Sequence, residues 1–230
     1  MIGIDPVGVV RSPWPEKFGV PRQSGLALAE SVIVFDRERI PAEALRGLEG
    51  VSHIWVIAWM HAVVEEGWRP TVRPPRLGGA ARLGVFATRS PHRPNPISLS
   101  LVELLVVEDD RLYVSGCDLV DHTPVLDIKP YLPWAESRPD AHCEWAREPP
   151  LPIEVHFRPT AEHALSQHPR AEWLRELIVT TLRWDPRPAH QRNNPTRSYG
   201  AVIADVNLRF EVEDGVVWIF ELTTLDPQNT

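Results

Sequence analysis

Apolar and polar residues alternate in short runs along the first 135 positions, with a period near two. Ile4–Arg11 (IDPVGVVR), Ser31–Phe35 (SVIVF) and Arg111–Leu119 (RLYVSGCDL) read as strands. So do the long run 98–107 (SLSLVELLVV) and the short GVFAT at 84–88. His53–Met60 (HIWVIAWM) is almost continuously apolar, as expected for a strand covered on both sides. Only PAEALRGLEG, with Pro41 at its start and Gly50 past its end, suggests a short helix in this half. Many short strands with proline- and glycine-rich connections favour a β-barrel or closed sheet over a doubly wound fold. No GxGxxG follows a strand, so a Rossmann-type cofactor site is not expected.

The pattern changes after Tyr131. Residues 131–152 (YLPWAESRPDAHCEWAREPPLP) are proline-rich and acidic without periodicity, which suits a linker or wrapped loop. From Thr160 to Trp184 the period becomes helical, with Pro169 as a break. Trp173, Leu174, Leu177, Ile178 and Leu182 fall near one face of the firmer segment, Ala171–Leu182. Two runs joined by Asp214-Gly215 then predict a terminal hairpin. The expected organisation is a barrel over residues 1–137, a linker over 138–155 and a small α+β domain over 156–230. The fold class is therefore mainly β: a single-sheet barrel with an α+β appendage.

Composition narrows the function classes. The chain has 230 residues, 43% of them hydrophobic, enough for a buried core. No apolar run approaches the roughly 20 residues of a membrane span, and the start lacks a secretory pattern, so no membrane partner is expected. Cys117 and Cys143 form no CxxC pair, which argues against a cysteine-based zinc site and, by default, for a reduced, cytoplasmic protein. No metal is expected. A net charge of −7 argues against a protein that coats DNA, yet leaves room for a local arginine-lined site that grips a folded RNA. Residues 68–100 are such a place, with six arginines and no acidic residue in an acidic molecule.

Four clusters in the first half of the chain, and one in the appendage, carry candidate chemistry. In KFGVPRQSG, Arg22 and Gln23 follow Pro21 in a glycine-flanked loop, either facing water or meeting a carboxylate and an amide or base edge. His61 ends an apolar strand, either as a core residue or at a pocket rim, where its near-neutral pKa would matter. In RSPHRPNPISLS (89–100) the prolines stiffen an extended backbone, so that His92, Arg93 and Asn95 project in fixed directions. In DLVDHTPVLDIKPYLP (118–133), Asp118, Asp121, Asp127 and Lys129 accompany a turn that either only bonds itself or forms one wall of a pocket. In the appendage, WDPRPAHQR brings Asp185, Arg187 and Arg192 near Tyr199, either as a connecting loop or as an RNA contact through phosphates and stacking. No nucleophile elbow, Walker A loop or HExxH occurs, so a hydrolase lacks its motifs.

Taken in order, PVGVVRSP, KFGVPRQ, SHIWVI, WRPTVRPPRLGG, GVFATRSPHRPNPI and DLVDHTPVLDIKPYLP closely resemble the TrmO/TsaA-like family. The resemblance runs from residue 6 to 135 and continues through DPRPAHQR, YG and DVNLRF. It implies a barrel that binds S-adenosylmethionine outside the Rossmann framework, as a homodimer. It also implies methylation of N6 of N6-threonylcarbamoyladenosine beside the tRNA anticodon. By match to the family's motifs, the cofactor site draws on Pro21, Arg22, Gln23, His61, Ala62, Arg89, Leu99 and Val125, Leu126, Asp127 and Ile128. Arg93, Arg187 and Tyr199 are the expected substrate contacts, and no residue is singled out as the catalytic base. Two departures stand out: Ser98 and His122 occupy positions where the family usually has glycine. The connector-like WRPTVRPPRLGG suits a rigid spacer or a subunit contact, and residues 89–99 a cofactor wall. The competing reading is a non-catalytic barrel that binds the same cofactor or a nucleotide as a regulatory ligand, or docks RNA.

Overall fold

The computed structural model describes residues 3–78, 81–187, 191 and 197–225. Strands β1 (Gly8–Arg11), β2 (Glu30–Phe35) and β3 (His53–Trp59) come first, followed by a small hairpin of β4 (Thr71–Val72) and β5 (Leu83–Gly84). Then come β6 (Ile97–Val107), β7 (Arg111–Ser115) and β8 (Pro124–Pro130). Six of these close into an antiparallel barrel in the order β1-β2-β7-β6-β3-β8, with β8 returning to β1. The mainly β, closed-barrel expectation is borne out. Closure removes the free edges that a six-stranded open sheet would expose.

Period-two patterning explains which side chains fill the barrel. On β3, Ile54, Val56 and Ala58 are fully buried, while Trp55, Ile57 and Trp59 face outward. On the facing strands, Val10, Ile33, Val102, Leu112, Val114 and Val125 complete the same core. Each such burial stabilises by roughly 1.5–3 kcal/mol relative to exposure. Closure between β1 and β2 depends on Gly8. A Cβ there would lie 2.3 Å from the Val34 carbonyl oxygen, so no side chain fits.

The C-terminal unit comprises β9 (Glu154–Phe157), α2 (Pro159–Ser166), α3 (Ala171–Leu182), β10 (Tyr199–Ile203), β11 (Val206–Glu213) and β12 (Val216–Thr224). Its sheet has the order β10-β11-β12-β9, with β9 parallel to β12. Pro169 falls between α2 and α3, where the helical period was expected to break. Asp214 and Gly215 both have positive φ, the geometry of the predicted hairpin turn. The connecting segment carries α1 (Pro133–Glu136), whose Glu136 accepts from the Trp55 indole at 2.8 Å.

Four local expectations are corrected. GVFAT is not a strand: pairing stops at Gly84, and Val85–Ala87 form a single 3-10 turn that buries Val85. PAEALRGLEG forms two 3-10 turns, Ala42–Leu45 and Leu48–Gly50, separated by Gly47 in the left-handed region. The first strand starts at Gly8 rather than Ile4, and the 111–119 strand stops at Ser115.

The two units share structure. The core of the C-terminal unit includes Trp14, Ala27 and Ala29 from the β1–β2 loop, packed among Leu174, Ile178 and Leu208. The loop leaving the barrel after β1 is therefore also a core element of the appendage.

Candidate functional site at one end of the barrel

Antiparallel order brings three long connections to the same barrel end. These are residues 12–29 after β1, 60–96 after β3 and 116–123 after β7. Every expected cofactor residue outside the strands lies on one of the first two.

The first group joins loop 12–29 to the arginine-rich strip. Pro21 is buried and Arg22 half-buried, and Gln23 accepts from the Arg89 guanidinium at 2.5 Å. The Gln23 amide donates to the Arg22 carbonyl, which fixes the amide's orientation. Asp118, within the field of the Arg89 charge, receives a hydrogen bond from the Ser100 hydroxyl on β6. Burial pushes the Asp118 carboxyl above its ordinary value; the Ser100 bond and the Arg89 charge oppose this only in part.

A second group lies over β3, β8 and β1. His61 opens a 3-10 turn, His61–Glu66, directly after β3, and Ala62 follows it half-buried. Burial, and then the nearby His122, hold the His61 imidazole below its ordinary pKa, so it is neutral near pH 7. Its Nδ1 is buried without a partner among the described residues. His122 adopts φ 60°, consistent with a position that ordinarily takes glycine. Its ring accepts from the Arg11 guanidinium (2.9 Å to Nδ1) and lies 3.3 Å from the Asp121 carboxylate.

The third group runs across the sheet. Ile57 pairs with Leu99 on one side and Asp127 on the other, while Ala58 pairs with Ser98 and Val125. A bulge places Leu126 between the paired positions. Val125 is buried inside and Ile128 packs on the barrel core. Leu99, 49% exposed, shares the outer face with Trp55, Ile57, Trp59 and Ile97. Asp127 is ion-paired with Lys129 at 2.7 Å.

The three expected substrate residues each adjoin a mouth connection: Arg93 lies on 60–96, the Arg187 carbonyl accepts from Arg22, and Tyr199 stacks on Phe18. Arg93 donates to the Thr88 carbonyl (2.8 Å), and its guanidinium lies 5.7 Å from the centre of the exposed Phe86 ring. Arg187 is only 7% exposed and is clasped by Asp185 through two bonds, 2.8 and 3.1 Å. Tyr199 is buried between Phe18 and Phe210, its hydroxyl donating to the Gln191 carbonyl at 3.3 Å. Arg192 lies outside the described residues. The sequence placed Asp118 in the fourth cluster, as part of a turn or a pocket wall, and Arg11 and Ser100 inside the motifs PVGVVRSP and RSPHRPNPISLS, without giving either of those two a role of its own.

Chemically, the mouth offers arginine forks for a carboxylate, a fixed amide, a neutral imidazole with an unpartnered buried nitrogen, and apolar walls. This donor set fits a zwitterionic amino-acid-bearing nucleoside cofactor. Arg22 and Arg89 would hold its carboxylate, and the backbone at Val125–Ile128 with His61 its base or ribose.

Closed antiparallel barrel, loop-built polar mouth and α+β appendage define a non-Rossmann barrel protein of two units. Residues 9–137 match the tRNA-methyltransferase O N-terminal domain, and 150–225 the TrmO C-terminal domain. The chain belongs to the tRNA-methyltransferase O family. The tRNA (adenine(37)-N6)-methyltransferase of Escherichia coli (strain K12) is 46% identical over 230 residues, covering 96% of this chain and 97% of that one. A putative S-adenosylmethionine-dependent methyltransferase, RcsF, of Pseudomonas aeruginosa is 44% identical over 90% of this chain and 91% of its own. The crystal structure of TrmO from Pseudomonas aeruginosa superposes with a TM-score of 0.79 at 34% identity, covering 97% of this chain and 98% of that chain.

Proposed function

We propose that this chain methylates N6 of adenosine 37 in tRNA, using S-adenosylmethionine, and that the base it acts on carries an N6-threonylcarbamoyl group. The observation that carries the reading is the convergence of Gln23–Arg89, Asp118 and His61 at one barrel mouth, in a chain whose relatives are tRNA methyltransferases.

When bound, the cofactor supplies a methyl group on a positively charged sulfur that departs as a neutral thioether. The chain's part is alignment: the Arg22 and Arg89 forks orient a carboxylate, and the Gln23 amide is locked by its own bonds. The attacking nitrogen must lose its proton and is deactivated by the carbamoyl substituent, so a nearby acceptor accelerates transfer. Neutral His61 is a proton acceptor at pH 7 and borders the mouth. The threonyl carboxylate would add an ionic contact to Arg93, which plain adenosine cannot make, and this would give selectivity.

A homodimer forms part of the same reading. The outer face presents Trp55, Ile57 and Trp59 beside Ile97 and Leu99, an apolar stripe that water would not favour. Because Leu99 belongs to both stripe and expected cofactor wall, the partner subunit would border the site.

The test is transfer of labelled methyl from S-adenosylmethionine to two tRNAs, one carrying and one lacking the threonylcarbamoyl group. Label on the first alone supports the reading. Cofactor binding with label on neither favours the non-catalytic module.

A further inference from the structure

Loop 12–29 carries Pro21, Arg22 and Gln23, yet much of it is anchored in the C-terminal unit. On its N-terminal side, the Ala204 N–H donates to the Pro13 carbonyl (2.6 Å), and the Val202 N–H to the Glu16 carboxylate (3.0 Å). Trp14 is fully buried in the C-terminal core, and Phe18 stacks on Tyr199 with ring centres 6.3 Å apart and planes 6° apart. On its C-terminal side, the Trp184 indole donates to the Leu26 carbonyl at 2.6 Å, and Ala27 and Ala29 enter the same core. Between these anchors, the Arg22 guanidinium donates to the Arg187 carbonyl at 2.8 Å.

That carbonyl is itself held in place. Asp185, with φ 48°, turns the chain after α3 and receives the Arg187 backbone N–H (3.3 Å) and two guanidinium bonds. The carboxylate neutralises a nearly buried guanidinium, which would otherwise carry a heavy desolvation penalty. The corner Trp184–Arg187 is thus a rigid bracket with two points of attachment to the loop, at Leu26 and Arg22.

We infer that this bracket is a positioning device for the cofactor loop: Trp184 and Asp185, through their bonds to Leu26 and Arg187, set the affinity for S-adenosylmethionine by holding Arg22 and Gln23 in their binding arrangement. The inference rests on the proposed cofactor role of that loop. Its physical basis is preorganisation, since a loop ordered before binding loses less conformational entropy on binding. Linkage makes the effect reciprocal: cofactor binding stabilises the bracket as much as the bracket favours the cofactor.

The test uses the full-length chain with Trp184→Phe, which keeps the ring and removes the N–H, and Asp185→Asn, which tolerates positive φ but removes the charge. Arg22→Ala and Gln23→Ala serve as controls. Affinity for S-adenosylmethionine is measured by calorimetry well below the unfolding midpoint, and steady-state kinetics with tRNA accompany it. Each bracket variant is expected to bind about three- to ten-fold more weakly, the worth of one hydrogen bond. The KM for the cofactor should rise, with kcat at saturation within about twofold. Cofactor should slow amide exchange at Trp184, Asp185 and Arg187 in the native chain. Native affinity in both bracket variants, with weakened binding in the controls, overturns the positioning role and leaves the cofactor reading standing. Native affinity in Arg22→Ala and Gln23→Ala overturns the cofactor reading of the loop, and the inference with it.

Discussion

The Ser100 hydroxyl on β6 donates to the carboxylate of Asp118, a group within the field of the Arg89 charge. A carboxyl raised by burial binds its proton more tightly folded than unfolded. It therefore adds stability at low pH that is lost as pH rises from the ordinary carboxylate value through the raised one. Asp118→Asn mimics the protonated form. The native chain and the variant should have similar stability near pH 3.5, and the variant should gain relative to the native chain above it. Denaturant unfolding across pH 3.5–7 measures this; a gap independent of pH would contradict the raised value.

His122 lies beside His61 and in the left-handed region. His122→Gly removes the imidazole that disfavours protonation of His61 and fits the backbone better. The His61 pKa should rise toward its ordinary value, yet stay below it because burial is the larger cause. Stability should change by less than about 1 kcal/mol, since relief of left-handed strain is offset by the added freedom of glycine unfolded. An NMR titration of the His61 ring reads the shift, and an unchanged titration would refute the coupling.

Trp14 and Trp134 contrast within one residue type. Trp14 is fully buried in the C-terminal core, while Trp134 is 84% exposed. Trp14→Ala should cost about 3–5 kcal/mol through the cavity it leaves. Trp14→Phe should cost less, because the indole N–H that it omits has no partner among the described residues. Trp134→Ala should stay within about 0.5 kcal/mol as a surface change. Urea unfolding of the three variants orders them, and equal costs for Trp14→Ala and Trp134→Ala would contradict the shared core.

The outer stripe gives a prediction for assembly. Replacing Ile97 and Leu99 together with lysine places two charges in an apolar face and should shift a dimer to monomer in sedimentation equilibrium. A native chain that is already monomeric at micromolar concentration would remove the stripe from the interface.

The barrel strands were legible because short apolar runs bounded by turn residues are local signals; His53–Met60, continuously apolar, marked a strand without stating that Ile54, Val56 and Ala58 turn inward. Closure was legible only as a class, since register depends on pairs such as Gly8 with Phe35 that no window contains. GVFAT misled because a five-residue apolar run looks the same as strand or as a 3-10 turn burying one valine. The DPR of Asp185-Pro186-Arg187 read either as a connecting loop or as an RNA contact. Its carboxylate two residues from the arginine was the signal that the charge could be satisfied internally. The role of Trp14 was invisible, because the core it joins is built from α3 (Ala171–Leu182) and β11 (Val206–Glu213), far along the chain. Motifs pointed to the loops that the fold brings to one barrel end, but not to burial, which is what raises the Asp118 carboxyl.

The central claim is the identity of the methylated atom. The most direct measurement is nucleoside mass spectrometry of tRNA carrying threonylcarbamoyladenosine, after reaction with this chain and S-adenosylmethionine. The account predicts one added methyl on that nucleoside, fragmenting with the methyl on the N6 side, and none on tRNA lacking the group. Methylation of plain adenosine 37, or of any other nucleoside in its place, would contradict it.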